Sequence, residues 1–187
     1  MDFVKNKISG LVTILALPIS DERGSFARAF CQKEFQAVGL PTVFEQMNLS
    51  KNPFKHTFRG FHFQHDPFAE GKLMRCVSGK IIDYCIDLRP DSETFLEWFG
   101  TELSAEKGNM LFVPAGCAHA FLTLSDNTDV FYMATASYNP EAEGGIKFDD
   151  PEFDIQYPVE PKHLSEKDLN WPLFNKISYV EEMKESL

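Results

Sequence analysis

"IIDYCIDLR", residues 81–89, alternates in two-residue steps: Ile82, Tyr84, Ile86 and Leu88 against Asp83, Cys85 and Asp87. Neighbours on an extended chain face opposite sides, so this period marks a strand with one apolar face. Working outward, similar short runs recur at "LVTILAL" (11–17), "HTFRGFHFQ" (56–64), "LMRCVSG" (73–79), "NMLFVPAG" (109–116), "HAFLTLS" (119–125) and "DVFYMATASY" (129–138). Gly, Pro, Asn or Asp bounds each of them. Many short strands at such spacing predict a sandwich or barrel. Helical signals are few: "QKEFQAV" (32–38) before Gly39 and Pro41, "SEKDLN" (165–170) and "YVEEMKE" (179–185). With no repeat, low-complexity tract or linker, the expectation is one mostly β domain over residues 1–187 with a few short helices.

The 187 residues suffice for one substantial core, and 43% hydrophobic with 25% charged residues is ordinary for a soluble globular chain. Eighteen phenylalanines predict an aromatic-rich core or interface. Against 28 acidic residues stand 18 basic ones, a net charge of −10 that disfavours nucleic acid as a partner while leaving room for a local basic pocket. Cys31, Cys76, Cys85 and Cys117 are scattered without a C-x-x-C pair, and three lie in apolar strand-like runs, where free buried thiols are common. The start, "MDFVKNKISGLVTILALPIS", places two lysines before an apolar run, but that run is short, ends at Pro18 and lacks a small-x-small cleavage site. No segment approaches a membrane span. These features predict a cytoplasmic, reduced, soluble protein.

"RGFHFQ" (59–64) sets His62 and Gln64 against Phe61 and Phe63. The polar side then faces either bulk water or an internal cavity that needs a histidine. Downstream come Glu70, Gly79 and "GNMLFVPAGCAH" (108–119), with Gly108, Pro114, Gly116 and His119 at the spacing G-x5-P-x-G-x2-H. That string resembles the cupin motif, which implies a double-stranded β-helix, or jelly-roll, barrel. Its prolines and glycines turn the chain so that His119 re-enters the barrel. Metal-binding cupins combine H-x-H and a glutamate with the later histidine. Here Gln64 replaces the second histidine, and an amide oxygen is a poor ligand for first-row metals, so a metal-free interior is expected.

A narrower resemblance covers most of the chain. "DERGSF" (21–26), "FEQMNLS" (44–50), "RGFHFQ", "GKLMRCVSGKIIDYCIDLRPDSETF" (71–95), "VPAGCAHAF" (113–121), "YMATASYNPEAEGGI" (132–146), "FDDPEFDIQYP" (148–158) and "LSEKD" (164–168) occur in order. Together they resemble the dTDP-4-dehydrorhamnose 3,5-epimerase family. The resemblance implies epimerisation at C3, C5 or both of a nucleotide-diphospho-4-keto-6-deoxyhexose, by a homodimer needing no metal or redox cofactor. It implies His62 as base, Tyr132 as acid and Asp168 as the carboxylate that orients His62. Lys72 or Arg59 would meet the developing enolate oxygen. Arg23, Gln46, Asn48, Arg59, Lys72, His119, Tyr138, Glu143 and Lys167 would surround nucleotide and sugar, arginines suiting the diphosphate. Where the family usually carries a glutamate this chain has Arg28.

Several residues also have plainer readings. Ser165 and Asp168 form an S-x-x-D pattern that caps a helix, competing for the Asp168 carboxylate. Tyr138 shares strand parity with Tyr132 and rivals it as the acid. Arg59 has the opposite parity to His62 and reaches the same pocket only through a bulge at Gly60 or a ligand straddling the strand edge. His119 could merely shape the cavity, Lys72 and Lys167 could be solvated, and His56, His65 and His163 read as surface or loop residues. The alternatives to an epimerase are a non-catalytic sugar-nucleotide binding protein and a metal-dependent cupin with Gln64 as ligand.

Overall fold

The computed structural model describes residues 1–185. Strands β1 (Asp2–Lys5), β2 (Val12–Leu15), β3 (Ile19–Asp21) and β4 (Gly24–Phe26) precede helix α1 (Gln32–Ala37). Then come β5 (Gln46–Asn52), β6 (Phe58–Gln64), β7 (Lys72–Ser78) and β8 (Lys80–Asp87). The remainder holds β9 (Trp98–Ser104), β10 (Met110–Val113), β11 (Cys117–Thr123), β12 (Thr128–Ala134), β13 (Glu143–Gly145), α2 (Glu166–Leu169) and α3 (Lys176–Glu185). Every apolar run singled out in the sequence contains or overlaps one of these strands, and each helical signal contains or overlaps a helix.

Two antiparallel sheets form the barrel. One has the order β1-β2-β10-β7-β12-β5, the other β13-β6-β11-β8-β9, while β3 and β4 make a separate hairpin. Long crossovers between sheets, rather than a simple meander, give this arrangement its jelly-roll character. Met74, Leu111 and Val130 of the first sheet pack inside against Ile81, Cys85, Leu103, Cys117 and Phe121 of the second.

Both sheets are also covered on their outer faces. Phe35 of α1 seals Val12, Ile14, Leu73, Met110 and Phe112, whereas Phe153, Tyr157, Leu164 and Tyr179 cover Phe58, Phe61, Tyr84 and Ile86. This inverts the simplest reading of 81–89. The apolar face of β8 looks outward into the aromatic layer, and Asp83, Cys85 and Asp87, all fully buried, look into the barrel. Asp87 is accommodated by Arg89, Ser92 and Thr94.

One irregularity positions the site. Along β6 and β11, His62 faces His119 and Arg59 faces Phe121, so Gly60 and Phe61 together oppose the single residue Ala120. The extra residue is a bulge. Gly60 has φ +120°, and a Cβ there would lie 2.5 Å from the His119 carbonyl oxygen and 2.7 Å from the Ala120 Cα. Only glycine fits. The bulge restores Arg59 to the same side as His62 while Phe58, Phe61 and Phe63 stay in the outer layer.

Candidate active site

Inward-facing positions of five strands converge between the sheets. β6 contributes Arg59 and His62, β11 His119, β7 Lys72 and Met74, β12 Tyr132 and β5 Asn48, lining a cavity of about 910 Å³. A smaller cavity of about 350 Å³ shares Asn48, His62, Lys72 and Tyr132 with it and adds Gln46, Gln64, Glu70, Tyr138 and Glu143.

His62 Nε2 lies 2.6 Å from Asp168 Oδ1, bringing a carboxylate from 106 residues away onto the imidazole. The competing cap resolves in favour of both roles. Ser165 does cap α2, but its hydroxyl accepts from the Asp168 backbone N–H, which leaves the Asp168 carboxylate free for His62. Burial alone would raise the Asp168 pKa; the hydrogen bond and charge of His62, the Ser165 hydroxyl and the Gly60 N–H outweigh it and hold the carboxyl below its ordinary 3.8. The bulge therefore serves the site twice, by turning Arg59 inward and by offering the Gly60 amide to Asp168.

Tyr132 stands on the opposite sheet. Burial raises its pKa and the charge of Glu70 adds to this, with Arg59 opposing, so the phenol keeps its proton. Lys72 Nζ lies 3.1 Å from Glu70 Oε1. Arg59 Nε donates to Asn52 Oδ1 at 2.8 Å, a neutral partner that leaves the guanidinium charge available to an anion. His119 Nε2 meets Asp83 Oδ1 at 2.8 Å, and both side chains are buried. Burial raises the Asp83 pKa, only partly offset by His119 and Lys72.

At the smaller cavity the Tyr138 hydroxyl donates to Glu143 Oε2 at 2.8 Å and its backbone N–H donates to Gln46 Oε1 at 2.7 Å. Lys167 donates to the other Glu143 oxygen. Tyr138 lies beyond the end of β12 and is 53% exposed, which separates it from Tyr132 on the wall. Gln64 is fully engaged: its amide donates to the Phe68 and Ser137 carbonyls and accepts from the Asn139 N–H. That bonding turns the Gln64 oxygen toward the Asn139 backbone, and an amide oxygen is in any case a poor ligand for first-row metals.

Eleven of the twelve expected site residues border these cavities, Asp168 and Lys167 from α2 and the rest from strands or the segment after β12. Arg23 does not. It sits exposed on the β3–β4 hairpin with its guanidinium on Asp21, because that hairpin stands apart from both sheets. Arg28 pairs with Glu34 of α1, also away from the cavity. Three residues escaped the sequence reading: Asp83, Asn52 as the partner of Arg59, and Glu70 as the partner of Lys72. His163, expected on a loop, is on one, but its ring lies 5.0 Å from Phe54 at the cavity wall. Asp83 did carry a signal, since it shares a face with Cys85 in a strand too apolar to be solvated.

A jelly-roll barrel enclosing a carboxylate-supported histidine opposite a protonated tyrosine defines a cupin-type enzyme of proton-transfer chemistry. Comparison with known proteins narrows this. Residues 5–176 match the model of the dTDP-4-dehydrorhamnose 3,5-epimerase family. The dTDP-4-dehydrorhamnose 3,5-epimerase of Shigella flexneri is 39% identical over 180 residues, covering 96% of this chain and 99% of that protein. The crystal structure of the Bacillus anthracis enzyme, with TDP and PPi bound, superposes with a TM-score of 0.90 at 35% identity, covering 92% of this chain and 99% of that one. A Legionella pneumophila dTDP-6-deoxy-D-glucose-3,5-epimerase in complex with dTDP-4-keto-L-rhamnose gives 0.84 at 34% identity, covering 89% of each chain. The chain belongs to the dTDP-4-dehydrorhamnose 3,5-epimerase family.

Proposed function

We propose that this chain epimerises a nucleotide-diphospho-4-keto-6-deoxyhexose at C3, C5 or both. The observation that carries the reading is that His62 and Tyr132 line one cavity from opposite sheets. A sugar ring between them presents one face to each, which is what inversion at carbon requires. His62, oriented by Asp168, takes a proton from the carbon beside the C4 ketone, and the electron pair moves to the ketone oxygen. Lys72 donates to that enolate oxygen. As the carbonyl re-forms, the carbon takes a proton from Tyr132 on its other face. His62 then holds one proton more and Tyr132 one fewer, and exchange with solvent resets both.

Arg59 receives the diphosphate, with Gln46, Asn48, His119, Tyr138, Glu143 and Lys167 around the remainder of the ligand. No cofactor is part of the proposal. One cupin-like domain spanning the chain acts as a homodimer, a reading supported by Ile19, Phe26, Met47 and Leu49, large apolar side chains that are all exposed. Arg23 belongs to a ligand site only if a second copy brings its hairpin there. Among the described residues no helix is long and apolar enough to cross a membrane, and the four free thiols suit a reducing cytoplasm.

Proton NMR in D₂O with a panel of nucleotide 4-keto sugars tests the reaction. Loss of the C3 or C5 proton signal together with the product epimer is the expected result. Binding without exchange would establish a non-catalytic binding protein instead.

A further inference from the structure

Glu70 is the acidic residue of the first cupin-like string, and the reaction described above gives it no task. It lies on the approach to β7, two residues before Lys72, and faces the cavity that also contains His62 and Tyr132. Its carboxylate is on the Lys72 ammonium, with side chains only 9% and 12% exposed. Charges this shielded interact strongly and are costly to leave unpaired. The pair occupies the place where a metal-binding cupin would spend its glutamate, and the Gln64 oxygen beside it already accepts from the Asn139 N–H.

The strands show what the pair is for. Met74 is paired with Tyr132 and Lys72 with Ala134, so Lys72 is the diagonal neighbour of Tyr132 on the cavity wall. An ammonium on a four-carbon stem samples many rotamers unless it is tethered. A donor to a developing charge is most effective when it is already in place.

We propose that Glu70 is a positioning residue for the epimerisation, its carboxylate holding the Lys72 ammonium beside Tyr132 and toward the oxygen that becomes the enolate. The inference rests on the reaction proposed above. The same carboxylate helps Tyr132 retain its proton. The other charged or titratable groups bordering the larger cavity with Tyr132 are Arg59 and His62 from β6, His119 from β11, Lys167 and Asp168 from α2, Lys51 from the end of β5 and His163 from its loop. Across the smaller cavity stand Tyr138 and Glu143.

The test uses the full chain and the 4-keto sugar nucleotide that the wild type turns over in D₂O. Glu70→Gln keeps the shape of the side chain and removes its charge. We expect kcat to fall about tenfold, less than the ~10²–10³-fold typical of deleting an oxyanion donor outright, with KM little changed. The alkaline limb of the kcat profile should move to lower pH, because Tyr132 has lost a negative neighbour. Glu70→Asp should recover part of both effects and also serves if Glu70→Gln does not fold. Adding Glu70→Gln to Lys72→Met should slow the enzyme no further than Lys72→Met alone, because the carboxylate would have nothing left to hold. A Glu70→Gln protein with wild-type kcat and pH profile, or effects that multiply independently of Lys72, overturns the proposal while leaving the reaction intact. A wild type that exchanges no substrate proton with any sugar of the panel overturns the reaction, and this inference with it.

Discussion

Two histidine–aspartate pairs stand side by side on neighbouring strands, His62 directly across from His119, and they are built in opposite ways. The His62 side chain is 31% exposed to the cavity, and its carboxylate arrives from a remote helix, supported by a hydroxyl and an amide. That of His119 is 7% exposed, and its carboxylate comes from the adjacent strand with one oxygen left unpaired. Asp168 is thus held as an anion, fit to orient an imidazole that gains charge. Asp83 is pushed toward its neutral form, fit to fix the His119 ring. The same two residue types acquire different chemistry because hydrogen-bond donors surround one carboxylate and apolar burial dominates the other.

The largest expected effects would break this comparison outright. His62→Asn should lower kcat by ~10²–10⁴-fold, the usual worth of a general base, with Asp168→Asn approaching it. His119→Asn and Asp83→Asn should cost at least tenfold less. Equal losses in steady-state kinetics would mean that the pairs share one role. Tyr132→Phe should abolish epimer formation yet retain some solvent exchange at the carbon served by His62, read by NMR in D₂O. Tyr138→Phe, changed at an exposed residue, should keep most turnover, and the reverse ranking would make Tyr138 the acid.

Gly60→Ala tests the bulge that serves only the first pair. The added methyl meets backbone at 2.5 Å and demands φ +120°, so a loss exceeding the ~1–3 kcal/mol typical of one strained residue is expected in urea unfolding. An unchanged midpoint would show that the strand can re-register without it.

The pH dependence of stability sharpens the contrast most finely. Asp83 has a folded pKa above its ordinary 3.8, so over the interval above 3.8 the folded state binds more protons than the unfolded one and stability falls as pH rises. Asp83→Asn lacks this liability and should gain on the wild type across that interval. Asp168 has a folded pKa below 3.8, so its contribution is complete above 3.8 and is lost only as pH falls further. The deficit of Asp168→Asn should therefore stay flat at mild pH and close in acid. Denaturation series over pH for the three proteins would read both slopes, each unit of pKa difference being worth about 1.4 kcal/mol. The smallest expected change is none: thorough chelation should leave turnover as it was, because the Gln64 oxygen is engaged by Asn139.

Much of this was legible because it is local. The two-residue alternation around Tyr84 identifies a strand wherever that strand ends up, and Gly39, Pro41 and Ser165 mark helix ends within a few residues. His62 was recoverable from strand period, and His119 from the resemblance of its string to the cupin motif. Parity left two routes by which Arg59 could join His62, a bulge at Gly60 or a ligand straddling the strand edge, and the sheet register decides for the bulge. The Asp168 capping pattern was correctly read, but it does not say which Asp168 atoms the cap uses. The structure shows the backbone N–H in that part.

By itself, then, the sequence determined that this chain is a β protein, where seven of its strands and its short helices lie, and that His62 stands opposite a phenylalanine face, all consequences of forces acting between near neighbours. No such pattern marked β1, β3, β4, β5, β9 or β13. Which face of 81–89 looks outward was decided only when the C-terminal segment laid Phe153, Tyr157 and Tyr179 over it. The partners Asp83, Glu70 and Asp168 likewise depend on sheet register and chain closure. An acid becomes a partner rather than a solvated charge only when packing excludes water from it and brings one particular cation or ring within hydrogen-bonding distance, and no local pattern encodes that distance.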